Sequence, residues 1–517
     1  MQLVAYGAQD FYLTGNPQIT FFKVVYKRHT NFAIESIEQT FNGTASFGSK
    51  VVCNIQRSGD LINKMYLRTV LSGPTKTDES KWAWVRRVGH VLLYEIVLEI
   101  GGTQIDKHYN DWLNVWYELA RNFAQDRGYD HMIGNTVSAT TLANSHENLT
   151  LWVPLQFACC RNEGLSLPVI ALQYHDIKIT ITFSNLASLV NRTNNFTLSA
   201  SEFVMNGASL YVDYVYLDNE ERKKFAQAAH EYLFEQLQFS GQESISTGGS
   251  YKLRLNFNHP CKELIWFIKA NKYTNGLPFL AYDAQNQEQT KIIATKRFVL
   301  RCARYTGTTL YTSGVPVEAD NNIKTNPLFA NLNSIFNEIN AVSVTNVPDI
   351  DNILILGRML TSVEISQSTS DLFVGYMPTT PIPINSAGHP NNDIILYLHD
   401  NFGVNLDGSS NPIKQVLLQL NAHDRFTKRE GDYFNYVQPW QCHTNTPADG
   451  INVYSFAINP EEHQPSGTCN MSRIDNATLT LDIQDSYVGQ QANISVYATN
   501  YNILRVMSGM GGLAYSN

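Results

Sequence analysis

Residues 50–57 (KVVCNIQR) alternate, with Val51, Cys53 and Ile55 on one face, and a Ser58-Gly59-Asp60 turn leads into a second apolar run over residues 61–71. This predicts strand, turn, strand. Much later, residues 252–257 (KLRLNF) alternate in the same way, and Asn258-His259-Pro260 leads into residues 263–269 (ELIWFIK). A second block pairs residues 96–100 (IVLEI), Gly101-Gly102 and a helical stretch from Asn110 with residues 416–420 (VLLQL), Asn421-Ala422 and residues 432–437. In the first copy Trp112, Trp116, Leu119 and Phe123 fall at helical spacing. A third block pairs residues 152–158 with 453–458, and the alternating runs 176–183 (DIKITITF) with 477–483 (ATLTLDI). A fourth pairs residues 209–217 (SLYVDYVYL) with 495–504 (SVYATNYNIL). Short alternating runs occur in any β protein, but four blocks recurring in one order predict a duplicated all-β domain. The many short strands with turn signals point to antiparallel sandwiches of the jelly-roll kind.

Between the halves, Asp218-Asn219-Glu220-Glu221 reads as a helix start. Phe225, Ala229, Tyr232, Leu233 and Leu237 then form one apolar stripe, so a linker helix is expected over residues 218–238. That places the first sandwich at 41–217 and the second at 239–517. The second copy carries a long insertion, about 271–412, rich in Asn, Thr, Ser, Gly and Pro. Its segments 297–301, 353–364 and 394–399 read as extra strands of an elaborated surface loop.

Length and composition agree with this layout. A chain of 517 residues exceeds one ordinary core, and 43 % hydrophobic with 16 % charged residues describes a well-buried protein. A formal charge of −8 with only short basic runs argues against extended contact with nucleic-acid phosphates. No secretory leader and no transmembrane helix is expected. The 7 cysteines, with no C-x-x-C pair, suit reduced and mostly buried thiols.

Candidate chemistry is thin. N-x-[ST] acceptors occur at Asn42, Asn148, Asn191, Asn195, Asn470, Asn476 and Asn493, with Asn191 and Asn195 the best placed for a glycan and Asn470 and Asn476 readable as turn residues. His108, His175, His423, His443 and His463 are scattered without an H-x-H pair and read as hydrogen-bonded structural imidazoles. His423-Asp424-Arg425 reads as a structural ion pair. Residues 43–50 miss the phosphate-loop pattern, and Gly509, Gly511 and Gly512 read as turn geometry. No catalytic residue, cofactor or metal is assigned. The alternative left open is a glycan-binding or glycan-processing protein on paired jelly rolls, which would need aromatic platforms beside a carboxylate pair.

Long segments carry a family resemblance over nearly the whole chain. They are GNPQITFFKVVYKRHTNF (15–32), SGDLINKMYL (58–67), IGGTQIDKHY (100–109) and PLQFACCRNEGLSLPVIALQYHDIKI (154–179) in the first half. The second half adds NHPCKELIW (258–266), LQLNAHDRF (418–426), GINVYSFAINPEEHQPSGTCNMSRIDNATL (450–479) and RVMSGMGGLAYSN (505–517). These resemble the major capsid proteins of nucleocytoplasmic large DNA viruses. The resemblance implies two consecutive eight-stranded jelly rolls per chain, and three chains per capsomer with pseudo-sixfold symmetry. It also implies an arm over residues 1–40 on the inner face of an icosahedral shell, and an outward-facing insertion. Expected partners are further copies of the chain, minor capsid and penton proteins and the inner membrane layer. The expected location is the virion capsid, after synthesis and assembly in the host cytoplasm.

Overall fold

The computed structural model describes residues 4–5, 7–77, 80–140, 143–192, 196–245, 249–270, 311–312, 315–316, 411–484 and 491–515. The three extra strands expected in the insertion, together with Cys302 and Asn195, lie outside these residues.

In the first half the strands are β1 (Phe32–Thr40), β2 (Lys50–Asn54), β3 (Leu61–Ser72), β4 (Leu93–Ile100), β5 (Thr103–Tyr109), β6 (Leu149–Pro154), β7 (Ile177–Phe183) and β8 (Val204–Leu217). In the second half they are β9 (His230–Ile245), β10 (Ser250–Leu255), β11 (Pro260–Ala270), β12 (Ile413–Leu420), β13 (His423–Asp424), β14 (Asn452–Ser455), β15 (Ala477–Ile483) and β16 (Ala492–Met507). One sheet of the first half is ordered β1-β8-β3-β6 and the other β2-β7-β4-β5; the second half repeats these as β9-β16-β11-β14 and β10-β15-β12-β13. In both halves the first strand lies beside the last and the second beside the seventh, with antiparallel pairing, which is the jelly-roll order.

The repeated blocks therefore occupy equivalent places. Val51 opposes Ile181 in the first half and Tyr251 opposes Leu481 in the second. The turn between the fourth and fifth strands is also shared. Gly101 and Gly102 have φ of 58° and 81°, and Asn421 and Ala422 have φ of 50° and 63°. A two-residue hairpin loop with both central residues at positive φ matches the right-handed twist of its strands. The geometry has been kept even where an alanine must adopt it.

Each half has its own core. Met65, Leu67, Ile96, Leu98, Ile179 and Ile181 fill the first; Leu264, Trp266, Val416, Leu418, Leu479 and Leu481 fill the second.

Two expected boundaries change. The helix between the halves, α2 (Asn219–Gln227), starts at the expected Asp218 cap but ends at Ala228, whose backbone is extended (φ −76°, ψ 147°). Tyr232, Leu233 and Leu237 belong instead to β9, which pairs with β16 from His230↔Val506 through Ile245↔Ala492. The segment HEYLFEQLQF suits either period, and a long strand partner decides the matter for the sheet. The second sandwich thus begins at 230. Likewise, the last part of the expected arm is β1, paired with β8 from Phe32↔Leu217 to Thr40↔Ser209, so only the residues before Phe32 stand outside the sandwich.

Candidate assembly site: the joint between the halves and the exposed arm

The second helix of interest, α1 (Asn110–Ala120), follows β5 and buries Trp112, Val115 and Leu119 against the second half. Their partners are Ile265 and Phe267 of β11, Val453 of β14 and Tyr497 of β16. Strand β11 is buried on both sides. Leu264, Trp266 and Ile268 face its own core, while Ile265 and Phe267 face α1. The aromatic rings of Tyr497 and Phe239 stack with centroids 4.5 Å apart, and Trp112 lies 5.7 Å from Tyr497.

Charged groups ring this apolar contact. Lys269 of β11 lies 2.9 Å from Asp111 in the first turn of α1, and both side chains are buried. Burial pulls the Lys269 ammonium below its ordinary range, and Asp111 offsets part of that shift. Glu235 of β9 takes Lys262 at 2.6 Å and Arg161, from the first half, at 3.0 Å. The Arg161 guanidinium also lies 4.5 Å over the Trp116 ring. Backbone groups are tied across the joint as well. Asp106 accepts a hydrogen bond from the Leu237 amide at 3.0 Å, and Asn445 donates from its side chain to the carbonyl of Arg121 at 2.6 Å and from its amide to that of Leu119 at 3.0 Å. Asn445 thereby satisfies carbonyls that the C-terminus of α1 leaves open.

Behind this face lies His443, fully buried, with Nε2 2.9 Å from Glu263 and Nδ1 2.9 Å from Glu461. Burial alone would lower the imidazole, but the carboxylates of Glu263 and then Glu461 overcome it and push its pKa up to about 9. Burial would raise Glu263, whereas His443, Lys262 and the Thr499 hydroxyl hold it below the ordinary carboxylate range. Nδ1 hydrogen-bonds to Glu461 and Nε2 lies in ion-pair contact with Glu263, so the ring is held between two carboxylates. It is a staple.

The remaining sequence candidates are dispersed. Asp424 accepts from the Gln419 amide at 2.7 Å rather than forming the expected ion pair with Arg425, because the β13 hairpin turns it toward β12. His175 bonds to Gly511 at 2.8 Å and His108 lies 3.0 Å from Asp106. Asn470 accepts from the Ser472 amide at 3.1 Å, the Asn476 amide donates to Asn421 at 3.1 Å, Asn493 accepts from Ser244 at 2.9 Å, and Asn42 bridges to Val52. Asn191 pairs with Ala83 in a two-stranded ribbon, while Asn148 is exposed just before β6. Gly509 has φ of 80° in the turn between β16 and the strand Met510–Leu513, as its reading as turn geometry requires. The described cysteines carry free thiols, with Cys53, Cys159 and Cys261 buried.

A cleft of about 560 Å³ between the halves is lined by Tyr66, Trp116, Tyr117 and Tyr129, the aromatic platform a sugar would use. Its one lining carboxylate, Glu461, is engaged by His443 and Thr444. The carboxylate pair required for glycoside chemistry is missing from that lining.

The joint carries the signs of architecture rather than catalysis; what stands free is the arm. Phe11, Tyr12, Phe21, Phe22, Val24 and Tyr26 all point into solvent, Phe21 at 89 % and Phe22 at 99 % exposure. Such a run marks a surface that something else covers.

Two jelly rolls of identical strand order, locked face to face in one chain, define a double jelly-roll shell protein. Residues 20–218 match the family model "Major capsid protein N-terminus" and residues 221–512 match "Large eukaryotic DNA virus major capsid protein". The chain is 41 % identical over 557 aligned positions to the major capsid protein of Phaeocystis pouchetii virus, covering 100 % of this chain and 99 % of that one. It is 38 % identical over 596 positions to capsid protein 1 of Acanthamoeba polyphaga mimivirus, with the same coverage. The solved quasi-atomic model of the PBCV-1 virus capsid superposes with a TM-score of 0.64 at 32 % identity, over 96 % of this chain and 100 % of that one. The chain belongs to the major capsid protein family of the large eukaryotic DNA viruses, and it is a structural capsid protein.

Proposed function

We propose that three copies of this chain close into a capsomer whose six sandwiches form a nearly hexagonal ring, and that these capsomers tile an icosahedral shell. The observation that carries this reading is the repetition of one strand order in both halves, joined by a buried face. A trimer of doubled domains offers six similar edges, so lateral contacts nearly repeat around a closed ring. The arm before Phe32 faces the inner side, toward minor capsid proteins or a membrane layer. Penton proteins fill the fivefold positions, where a doubled domain does not fit. Assembly takes place in the host cytoplasm, and the chain performs no catalysis: its chemistry is spent on internal ties.

Light scattering of the purified chain, followed by electron microscopy of the peak, tests the capsomer. The expected mass is about 175 kDa, three times the 58.3 kDa chain, with a pseudo-hexagonal outline. A monomer peak with no ring in the images would overturn the reading. Limited proteolysis of assembled particles tests the orientation. Cleavage within the insertion, about 271–412, with the arm spared is expected, and cleavage of the arm with the insertion spared would overturn the inward placement of the arm.

A further inference from the structure

We propose that Cys261 and Cys469 form a modification site, a cross-strand disulfide that closes when the reduced chain meets a disulfide oxidant. The two residues are far apart in the chain and directly opposed in the fold. Cys261 stands in β11, and the short strand Cys469–Asn470 pairs antiparallel beside it in the register Pro260↔Asn470, Cys261↔Cys469. Two further bonds hold that register: the Met471 amide donates to the His259 carbonyl at 3.0 Å, and the His259 amide donates to the Ser472 hydroxyl at 2.8 Å. Opposed residues of an antiparallel pair send their side chains to one face of the sheet. Here that face is the core of the second sandwich, where Cys261 is buried and Cys469 packs half-buried against it.

The spacing suits a bridge. Opposed Cα atoms in such a ladder lie about 4.5–5.5 Å apart, within the range of about 4.4–6.8 Å that a disulfide spans. The Cβ atoms must close to about 3.5–4.5 Å. The strand Cys469–Asn470 is the partner that gives, since among the described residues it pairs with β11 alone. Cys159 and Cys160 are another close pair, with Sγ atoms 3.9 Å apart, but they are neighbours in the helical turn Ala158–Arg161. Cα atoms joined by a trans peptide are about 3.8 Å apart, below the disulfide range. Geometry therefore favours Cys261 and Cys469.

Burial decides which sulfur reacts first. Cys261 has no exposed surface, and burial, with Cys469 adding to it, pushes its thiol far above the ordinary range. Burial raises the Cys469 thiol as well, but Arg425 draws it part of the way back. The half-buried Cys469 is thus the attacking group. Its thiolate attacks one sulfur of a small disulfide such as glutathione disulfide, and the first glutathione leaves as a thiolate that takes up a proton. Cys261 then loses its proton and attacks the Cys469 sulfur, so that the protein disulfide forms and the second glutathione leaves as a thiol. Two protein thiols give up two electrons and two protons, and one glutathione disulfide becomes two glutathione thiols. The bond brackets the insertion at about 271–412, β12, the β13 hairpin, His443 and β14 in one closed loop, whose length makes the restriction of the unfolded chain large. A reducing compartment keeps the pair open and an oxidising one closes it. The bond lies within one chain, so it stands or falls independently of the capsomer.

Full-length chain is incubated at about pH 8, where thiolates begin to form, with glutathione disulfide or with reduced glutathione. It is then denatured, alkylated and digested for mass spectrometry without reduction. The oxidised sample is expected to yield peptides joined through Cys261 and Cys469. Alkylation of both residues should fall at least about tenfold against the reduced sample, with Cys53 alkylated equally in the two. The thermal midpoint of the parent chain should rise on oxidation, and that of Cys469→Ser should not respond. Cys261→Ser alters the core and is not needed, because the oxidised and reduced parent differ by no substitution. Full alkylation of Cys261 and Cys469 after oxidation, a bridge confined to Cys159 and Cys160, a link between two chains through either residue, or an equal response in Cys469→Ser overturns the proposal.

Discussion

The Lys269 ammonium lies 2.9 Å from the Asp111 carboxylate, joining the edge of the second sandwich's inner strand to the first turn of a helix from the first sandwich. Both groups are buried. Removing one partner strands the other in a dry joint. Lys269→Met is expected to lower stability by about 3–5 kcal/mol, and Lys269→Met combined with Asp111→Leu by much less, because the pair's desolvation is removed together with its attraction. Unfolding midpoints of the two variants against the parent chain check this. Equal losses in the single and double variants would sink the account.

The His443 staple gives the joint a pH dependence whose sign follows from its shift. A basic group raised from 6.5 to about 9 contributes stability that is fully present below pH 6.5 and is lost as pH rises through about 9. The shift corresponds to about 3 kcal/mol over that window. Glu263 acts in the opposite direction: its lowered pKa gives stability present above 4.5 and lost as pH falls. Thermal midpoints of the parent chain should therefore decline between pH 6.5 and 9, and His443→Gln should flatten that decline while lowering the midpoint at pH 6.5.

Ala422 sits at φ 63° in a turn whose counterpart in the first half is Gly102. The left-handed conformation costs an L-residue about 1 kcal/mol, so Ala422→Gly is expected to stabilise the second sandwich by about that much. A midpoint shifted downward would mean that the turn owes its geometry to something other than its hairpin.

Asn445→Ala removes the side-chain donor that closes the Arg121 carbonyl at the C-terminus of α1, while the backbone amide of residue 445 keeps its bond to Leu119. A loss of about 1–2 kcal/mol is expected, with faster hydrogen exchange at the end of the helix and unchanged exchange in β2 and β10. Uniform acceleration through both sandwiches would point to global destabilisation instead.

Much of this architecture is legible in the chain. Alternation at Val51, Cys53 and Ile55 and again at Leu253 and Leu255, in the same order relative to later blocks, is enough to place equivalent strands, because burying one face of a sheet imposes a period of two. The residues around Tyr232 are ambiguous for a physical reason: Phe225, Tyr232 and Leu237 fit a helical stripe, and only pairing with β16, distant in sequence, selects the strand. The joint is only partly legible. Residues 260–270 carry a signal, since Ile265 and Phe267 are as apolar as Leu264, Trp266 and Ile268. A strand apolar on both faces is buried on both faces, and Lys262, Glu263 and Lys269 in such a strand must find partners. Nothing in the spacing singles out Asp111, Glu235 or His443 as those partners.

Packing α1 against β11 also has a mechanical consequence. With helix, ion pairs and carbonyl caps all crossing between the sandwiches, the two cannot swing independently, and each chain behaves as one stiff brick. Swelling or indentation of a shell built from such bricks is taken up at the seams between chains, and fracture runs along those seams before any single chain opens.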